Sequence, residues 1–398
     1  MLMPPASVAP LATARAAAAR TAPEFAVTLV GHDELADHQG AWEDLVTHAL
    51  EPNCFYEPWM LLPALRHFGQ DLDLETALVY RREPGRPPLL CGLIPWERRR
   101  RLHGIPVRLL TSWKHLHCIL CTPLLHRDHA SEALRALLRW AGADRRGATL
   151  IEFPFVPGEG PFAQLLINVI NDLGCLTYPT ESFTRALLRP GADADAYIQS
   201  ALAPKHRREL GRMRRRLAEL GRLEVRRLNP DDDPAPWLQQ FLALEAAGWK
   251  GTERTALGCA ESERAYFTTI VNEAHRRGQL MMLGLFLDDK PLALKCNFRT
   301  GAGAFTFKIA FDELYDKYSP GVQLELDNIA QAHQMPGLEW MDSCAIADHS
   351  MIDRLWTERR TIQNVLVAPG GWRGNLLVGL LPLLRAVKRT LWRRTRID

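Results

Sequence analysis

Three strand-like segments follow one another in QLMMLGLFLDDKPLALKCNFRTGAGAFTFKIAF, and no other feature constrains the fold of this chain more strongly. Two short turn signals, Asp288-Asp289-Lys290 and Thr300 to Gly303, separate the apolar stretches. This spacing predicts three antiparallel strands joined by tight turns. A helical pattern over 319–334 follows at once, and LEWMDS then predicts another strand.

The same order of elements occurs twice along the 398 residues, clearly in the second half and loosely in the first. A period of roughly 190 residues indicates a duplicated domain and not a solenoid. With 47% hydrophobic and 24% charged residues, the chain can form a large core. We predict an α/β (α+β) protein with a disordered leader at 1–24, domains at 25–200 and 223–368, and a linker helix at 201–222.

Eight cysteines are scattered mostly through apolar segments, which indicates reduced core thiols in a cytoplasmic protein. Cys118 and Cys121 in KHLHCILC form the only close pair in the sequence. A zinc site would need a second pair or histidines at ligand spacing, and no second CxxC exists. We therefore expect a buried strand here and no metal.

Basic residues are concentrated in a few segments, although the net charge of +3 does not by itself indicate a nucleic-acid partner. Seven Lys and Arg residues lie between Lys205 and Arg216, in a predicted helix whose Leu210, Met213 and Leu217 share one face. This pattern fits a solvated linker helix. It also fits a helix that grips phosphate or faces a membrane.

The C-terminal segment 372–398 is amphipathic and basic. A nearly continuous apolar run from Leu376 to Leu384 is followed by cations in RAVKRTLWRRTRID. The run is too short to span a bilayer, and it predicts a helix that lies on an anionic membrane surface. Docking on the protein's own body is the alternative. We expect a cytoplasmic protein that is peripheral on the inner membrane.

A helix begins abruptly after the strand GAFTFKIAF, within YDKYSPGVQLELDNI. Its first backbone N–H groups and its dipole favour an anion. Pro320 suits the first helical position, and a glycine lets a ligand approach the backbone. The predicted contacts of this anion site are Tyr318, Ser319, Gly321, Val322 and Gln323.

An antiparallel strand pair, a loop and a Gly-bearing helix start resemble the acyl-CoA transferases of the GNAT superfamily, where this loop cradles the CoA pyrophosphate. The order of segments is similar to that in the tandem-domain group of FemAB-type peptidyltransferases and CelD-type envelope acetyltransferases. The matching segments, spread over most of residues 26–367, are EPNCFYEPWML, KHRRELGRMRRRLAELG, FLALEAAGWKGTERTAL and YDKYSPGVQLELDNIAQA. The Tyr-Ser-Pro-Gly loop departs from the basic, glycine-rich loop of classical members.

The resemblance implies two tandem GNAT-like domains, each a mostly antiparallel sheet flanked by helices. It implies acyl-CoA as donor and no metal. No nucleic acid is expected, with tRNA as the alternative donor, since FemAB-type members use aminoacyl-tRNA. We place the active site in the second half, because the strand pair, the loop and the helix are complete only there.

Amine acylation needs a base, a polarised carbonyl and reactants held in line. The predicted catalytic residues are Glu245, Lys308, Asp342 and His349, with Asp348 beside the last. Trp249 and Lys250 in EAAGWKG are predicted to bind substrate. A structural role is the alternative for each, such as packing for Trp249 and a solvated surface position for Glu245.

The segment DSCAIADHSMIDRLWTERRTIQNVLV is similar to bacterial ceramide synthases, which N-acylate a sphingoid base. That similarity implies a long-chain lipid amine as the acceptor. Three alternatives stay open. They are acetyl transfer to an envelope polysaccharide or sugar nucleotide, a tRNA-dependent FemAB-like transferase, and a non-catalytic scaffold.

Overall fold

One continuous sheet runs through the whole protein. The computed structural model describes residues 23–102, 104–143 and 147–394, with side chains through residue 383 of the last helix. Most of the predicted leader, residues 1–22, lies outside this part of the chain. The strand order is β1-β2-β3-β4-β6-β13-β7-β12-β11-β10-β9-β8, and the short β5 pairs with β3.

The strands are named in the order in which they occur along the chain. They are β1 Glu24–Val30, β2 Leu74–Arg82, β3 Leu89–Leu102, β4 Ile105–Ser112, β5 Leu124–Leu125, β6 Leu150–Pro157, β7 Leu176–Leu188, β8 Leu223–Arg227, β9 Leu280–Leu287, β10 Lys290–Thr300, β11 Gly303–Phe311, β12 Trp340–Asp342 and β13 Glu358–Ala368.

The helices cover both faces of this sheet. They are α1 His32–Leu35, α2 Gln39–Thr47, α3 Pro58–Phe68, α4 Ala130–Ala143, α5 Pro161–Leu173, α6 Ala194–Ala201, α7 Pro204–Ala218, α8 Pro234–Ala247, α9 Trp249–Thr252, α10 Glu261–Arg276, α11 Pro320–Gln334, α12 Ile352–Leu355 and α13 Trp372–Arg394. Within the described residues, none of them has both the length and the hydropathy needed to cross a membrane.

Strands from the two halves of the chain interleave at the centre of the sheet. The late strand β13 lies between β6 and β7 and is antiparallel to both. The earlier strand β7 also pairs with β12, with Leu188 opposite Met341. The sheet therefore does not break where the linker separates the predicted domains, and the division at 25–200 and 223–368 stays a prediction.

The strands of the second half confirm the sequence pattern. β9, β10 and β11 form consecutive antiparallel pairs. The turn between β9 and β10 is two residues long, and both Asp288 and Asp289 have positive φ, 45° and 68°. Those angles are the ones that a two-residue hairpin of the first primed type requires. The helix after β11 begins one residue later than its predicted range, at Pro320.

Two expectations from the sequence were wrong or incomplete. The segment KHLHCILC is mostly buried, apart from the exposed Leu116, but is irregular and not a strand. Its cysteine sulfurs lie 3.8 Å apart. The strand β13 was not anticipated, because nothing local in its sequence shows that it inserts between two strands of the first half.

Side chains of β10 and β11 alternate between two cores, as strand geometry requires. Phe298 and Phe305 pack in the main core with residues of α8 and α10. Ala304 packs instead with Ile329 of α11 in a second core. α8 and α10 thus cover one face of β11, and α11 covers the other.

Candidate functional site

The connection from β11 to α11 forms the predicted helix start. A 3-10 turn at Glu313–Tyr318 follows β11, and Ser319 then takes a left-handed conformation with φ 51° and ψ 57°. The amide of Gln323 donates to the Ser319 carbonyl at 3.0 Å. The N–H groups of Gly321 and Val322 therefore fall in the first turn, where a helix offers no internal acceptor.

A cavity of about 440 Å³ opens beside this helix start. Ser319 and Val322 line one side of it, and α7, the end of α6 and the segment 350–355 line the rest. Its apolar lining residues are Leu202, Leu210, Met213, Val322, Met351 and Leu355, and its charged or polar ones include His206, Glu209, Ser319 and Arg354. The cavity thus joins an anion-favouring helix start to an apolar wall.

The basic linker helix α7 is fixed along α11. The Arg214 guanidinium donates to both carboxylate oxygens of Asp327, at 3.0 and 3.2 Å. Gln323, predicted as a donor contact, is 1% exposed and donates through Nε2 to the Leu210 carbonyl at 2.9 Å. Its side chain therefore holds α7 in place. The exposed cations of α7 are Lys205, Arg208, Arg212, Arg215 and Arg216.

A β-bulge in β11 redirects side chains towards α8 and α10. The register passes from Cys296 opposite Lys308 to Asn297 opposite Thr306, which leaves Phe307 as the extra residue. The Phe307 ring lies 5.9 Å from that of Phe267 on α10. Bulges of this kind leave one residue out of the ladder and are common next to active sites.

Three of the predicted residues meet beside this bulge. Lys250 Nζ lies 2.9 Å from Glu245 Oε1 and donates to the Ile309 carbonyl at 3.2 Å. The second oxygen of Glu245 accepts from the backbone of Leu257 at 2.8 Å. Because both oxygens are occupied and the residue is 3% exposed, this geometry favours an anchoring role for Glu245. Lys308 is half-buried and interacts electrostatically with Glu245 and Lys250.

Two residues that the sequence did not single out complete this cluster. His117 Nε2 lies 3.3 Å from Glu263 Oε2, and the Glu263 side chain keeps 21% of its surface exposed. Glu263 lies in the first turn of α10, and His117 belongs to the buried segment before β5. The chain separates them by more than a hundred residues, so only the fold brings them together.

The environment shifts the pKa values of this cluster in a consistent way. Burial raises the pKa of Glu263, and the nearby charge of Lys308 opposes that rise. Burial lowers the pKa of Lys308, while Glu245 acts against it. Burial, assisted by Lys308, lowers the pKa of His117 to about 3. Glu263 is therefore a partly exposed carboxylate with the raised pKa expected of a general base.

Asp342 lies in a buried ion cluster away from these groups. Its oxygens lie 2.6 Å from Arg185 Nε and 3.0 Å from Arg360 Nη1, and Oδ1 also accepts from the Cys344 amide at 2.9 Å. Burial alone would raise the pKa of Asp342, but Arg185 and then Arg360 hold it below its usual value. A carboxylate held in this way is a poor proton acceptor, so the geometry favours a structural role.

The other predicted residues lie around the edges of the site. Trp249 is 52% exposed, and its backbone N–H donates to Glu313 Oε1 at 2.7 Å. His349 lies beside the cavity in the loop before α12, and its Nδ1 accepts from the Ile352 amide at 3.5 Å. Tyr318 packs at the border of a small apolar cluster that includes Leu324. No described contact joins His349 to the Lys308 cluster.

A second cavity, of about 920 Å³, lies where strands of the two halves meet. Glu51, Trp340 and Arg360 are among its lining residues, and none of the predicted site residues is. The Arg360 guanidinium lies 5.4 Å from the centre of the Trp340 ring. Among the described residues, no group of three or more His, Cys, Asp or Glu side chains could hold a metal ion.

Residues 204–349 match the family described as acetyltransferase (GNAT) domain. No curated protein matches the chain in sequence.

Among solved structures, FemX is similar over 89% of this chain and 99% of its own, with 11% identity and a TM-score of 0.54. A conserved protein of unknown function from Bacteroides thetaiotaomicron VPI-5482 is similar over 86% of this chain and 99% of its own, with 10% identity and a TM-score of 0.50. A tandem GNAT protein from the clavulanic acid biosynthesis pathway covers 87% of this chain and 99% of its own, with 14% identity and a TM-score of 0.43.

At such identities the solved structures establish the fold alone. The family match covers the β11 bulge and the helix start as well as α8 to α10. Residues 204–349 are therefore similar to an acetyltransferase domain of the GNAT type.

Proposed function

We propose that the protein is an N-acyltransferase that brings an acyl donor and an amine together at β11. One observation carries this proposal. A partly exposed carboxylate with a raised pKa, Glu263, lies on the α10 side of the bulged strand β11, and that strand leads through the turn at Glu313–Tyr318 to the anion-favouring start of α11. An acyl transfer needs these two features, a base for the amine and a fixed place for the donor.

The chemistry follows from that arrangement. The amine nitrogen attacks the donor carbonyl carbon, the carbon–sulfur bond of a thioester breaks, and sulfur leaves with the bonding electrons as a thiolate. The amine proton passes to the Glu263 carboxylate and from there to solvent or to the leaving thiolate. Lys308 acts on this carboxylate through its positive charge, and Lys250 pairs with the neighbouring Glu245.

The donor we favour is acyl-CoA. The cavity beside Ser319 and Val322 offers a helix start for phosphate and an apolar wall for an acyl or pantetheine chain. The exposed cations of α7 flank it and would attract the remaining phosphate charge. The same cations would also attract an aminoacyl-tRNA, and similarity to FemX keeps that donor as the second candidate.

The acceptor we favour is a long-chain lipid amine, as the similarity of 342–367 to ceramide synthases implies. Exposed Trp249 offers an apolar surface beside Lys250, which pairs with Glu245. An amino group on an envelope glycan or sugar nucleotide would use the same base and donor site. The acceptor classes therefore differ in what binds around Trp249 and not in the transfer step.

A transfer assay with purified protein tests this proposal. Acetyl-CoA and a long-chain acyl-CoA are each combined with a sphingoid base and with an amino sugar, and products are measured by mass spectrometry. We expect an N-acylated long-chain amine from the long-chain donor. Product only from the amino sugar would move the acceptor to the glycan class. A requirement for charged tRNA would show that the donor is aminoacyl-tRNA and not acyl-CoA. The absence of product with every pair would contradict the enzyme proposal.

A further inference from the structure

The last helix, α13, presents a row of apolar side chains to solvent. Trp372, Leu376, Leu380 and Leu383 are spaced by four, four and three residues and are 71%, 52%, 40% and 62% exposed. Residues at this spacing lie on one face of a helix. We call these four residues the α13 ridge.

Packing within the protein does not account for the ridge, because another face of α13 makes the contacts with the body. Leu377, Val378 and Leu381 pack in a cluster with strand residues, including Leu102 of β3, Val107 of β4 and Leu366 of β13. Gly374 lets the helix approach closely, since a Cβ there would lie 2.5 Å from the Thr149 carbonyl oxygen. The helix is thus anchored with the ridge facing outwards.

Exposed apolar side chains continue beyond α13. Ile105 at the tip of the β3–β4 hairpin is 41% exposed, and Leu102 and Val107 on either side of it pack in the same cluster as Val378. Leu176 at the start of β7 is 44% exposed and pairs with Ala368, a member of that cluster. Large exposed apolar surfaces on soluble proteins mark sites of interaction.

The exposed charged residues of the β3–β4 hairpin and of the described part of α13 are all arginines. Arg100, Arg101 and Arg108 on the hairpin are exposed, as is Arg373 on α13, and among the described residues none of them forms an ion pair. By sequence, residues 369–397 contain no Asp or Glu, and six further Lys and Arg residues follow Leu384. A protein partner's interface would be depleted of charge at its core, whereas an apolar row flanked by cations matches an anionic lipid surface.

We propose that the α13 ridge and the tip of the β3–β4 hairpin form a docking surface for an anionic bilayer. The ridge enters the boundary between headgroups and acyl chains, and the arginines remain at the level of the phosphates. This surface does not depend on the transfer chemistry. If both proposals hold, docking brings the protein to the place where a lipid amine is found.

Flotation of the full chain with vesicles tests the docking surface. Vesicles of phosphatidylcholine with one third phosphatidylglycerol are compared with pure phosphatidylcholine, at low and at high salt. The double variant Leu376→Ser/Leu380→Ser is compared with Ile167→Ser, because Ile167 on α5 is also 52% exposed and is a matched control for Leu376. Thermal melting checks that both variants fold.

We expect the wild type to float with the anionic vesicles and to do so less at high salt. Affinity should fall at least about tenfold in the double variant and stay unchanged in Ile167→Ser. Equal flotation of the double variant and the wild type would overturn the proposal, as would a wild type that binds neither vesicle. A wild-type dimer that the double variant abolishes would assign the ridge to a second copy of the chain and would also overturn it.

Discussion

His117 Nε2 lies 3.3 Å from Glu263 Oε2, and the two side chains belong to opposite halves of the chain. This contact joins the buried segment before β5 to the first turn of α10. His117 and its neighbour His115 both have pKa values lowered by burial to about 3. Both imidazoles are therefore neutral in the folded protein across the physiological range.

We predict that these two histidines make the stability of the protein depend on pH. The unfolded chain takes up protons at both positions as pH falls below about 6.5, and the folded chain does not until about pH 3. Stability should therefore decrease with falling pH between these values, by up to about 1.4 kcal/mol per pH unit for each histidine.

Urea denaturation at pH 6.5, 5.5 and 4.5 measures this dependence. The slope should be shallower in His117→Gln than in the wild type, and unchanged in a control that replaces the exposed His32. An identical slope in His117→Gln would show that this imidazole is already protonated in the folded state.

We predict that Asp342→Asn lowers the stability of the fold and does not affect the chemistry alone. Replacing it with Asn leaves Arg185, which is 1% exposed, without its charged partner. Removal of one partner from a buried ion pair costs about 3–5 kcal/mol. Asp289→Asn, in an exposed ion pair with Arg226, is the control and should change stability far less, because solvent screens an exposed pair. A stable but inactive Asp342→Asn would instead support the sequence prediction that Asp342 is catalytic.

We predict that Arg354 contributes to the affinity for the CoA donor. It lines the cavity beside Ser319 and is exposed, so its replacement with Ala should leave the fold intact. We expect the dissociation constant of CoA to rise by about three- to tenfold, the effect of one partly screened charge on a phosphate. Calorimetry measures it, with Arg139→Ala on α4 as an exposed helical control. Equal affinity of Arg354→Ala and the wild type for CoA would show that this cavity is not part of the donor site.

We predict that replacing Lys308 shifts the pH profile of the reaction. Its positive charge lowers the pKa of Glu263, so Lys308→Met should raise that pKa further. The carboxylate form is the base, and the rate therefore rises with pH through the pKa of Glu263. The rising limb should move to higher pH in Lys308→Met and stay in place in Lys290→Met, which alters a lysine paired with Asp312 on the surface. A limb that moves to lower pH would contradict the role given to Glu263.

Local patterns predicted the second half of the fold well. The run from 279 to 311 carries its own strand and turn signals, and Pro320 marks the helix start whatever packs around it. Glu245, Lys250 and Lys308 became candidates because they lie in or next to these recognisable segments, and the fold brings them close together. The GNAT resemblance rested on the order of the same segments and is supported by the match over 204–349.

The rest depends on contacts between distant parts of the chain. Glu263 resembles any acidic residue in the first turn of a helix, and only the packing of α10 against the buried His117 distinguishes it. Gln323 has a plausible position for a ligand contact by sequence, yet the approach of α7 takes its side chain. The insertion of β13 between β6 and β7 has no local signal either, because the strand could pair with any free edge.

The rate of acyl transfer in Glu263→Gln is the most direct test of the account. The matched control is Glu261→Gln, an exposed residue in the same turn of α10 that pairs with Arg264. With acyl-CoA and a long-chain amine, we expect kcat to fall by about 10²- to 10⁴-fold in Glu263→Gln, with the dissociation constant of CoA unchanged and the rising pH limb lost. Glu261→Gln should behave as the wild type. A Glu263→Gln protein that keeps the wild-type rate and pH limb would contradict the assignment of the base.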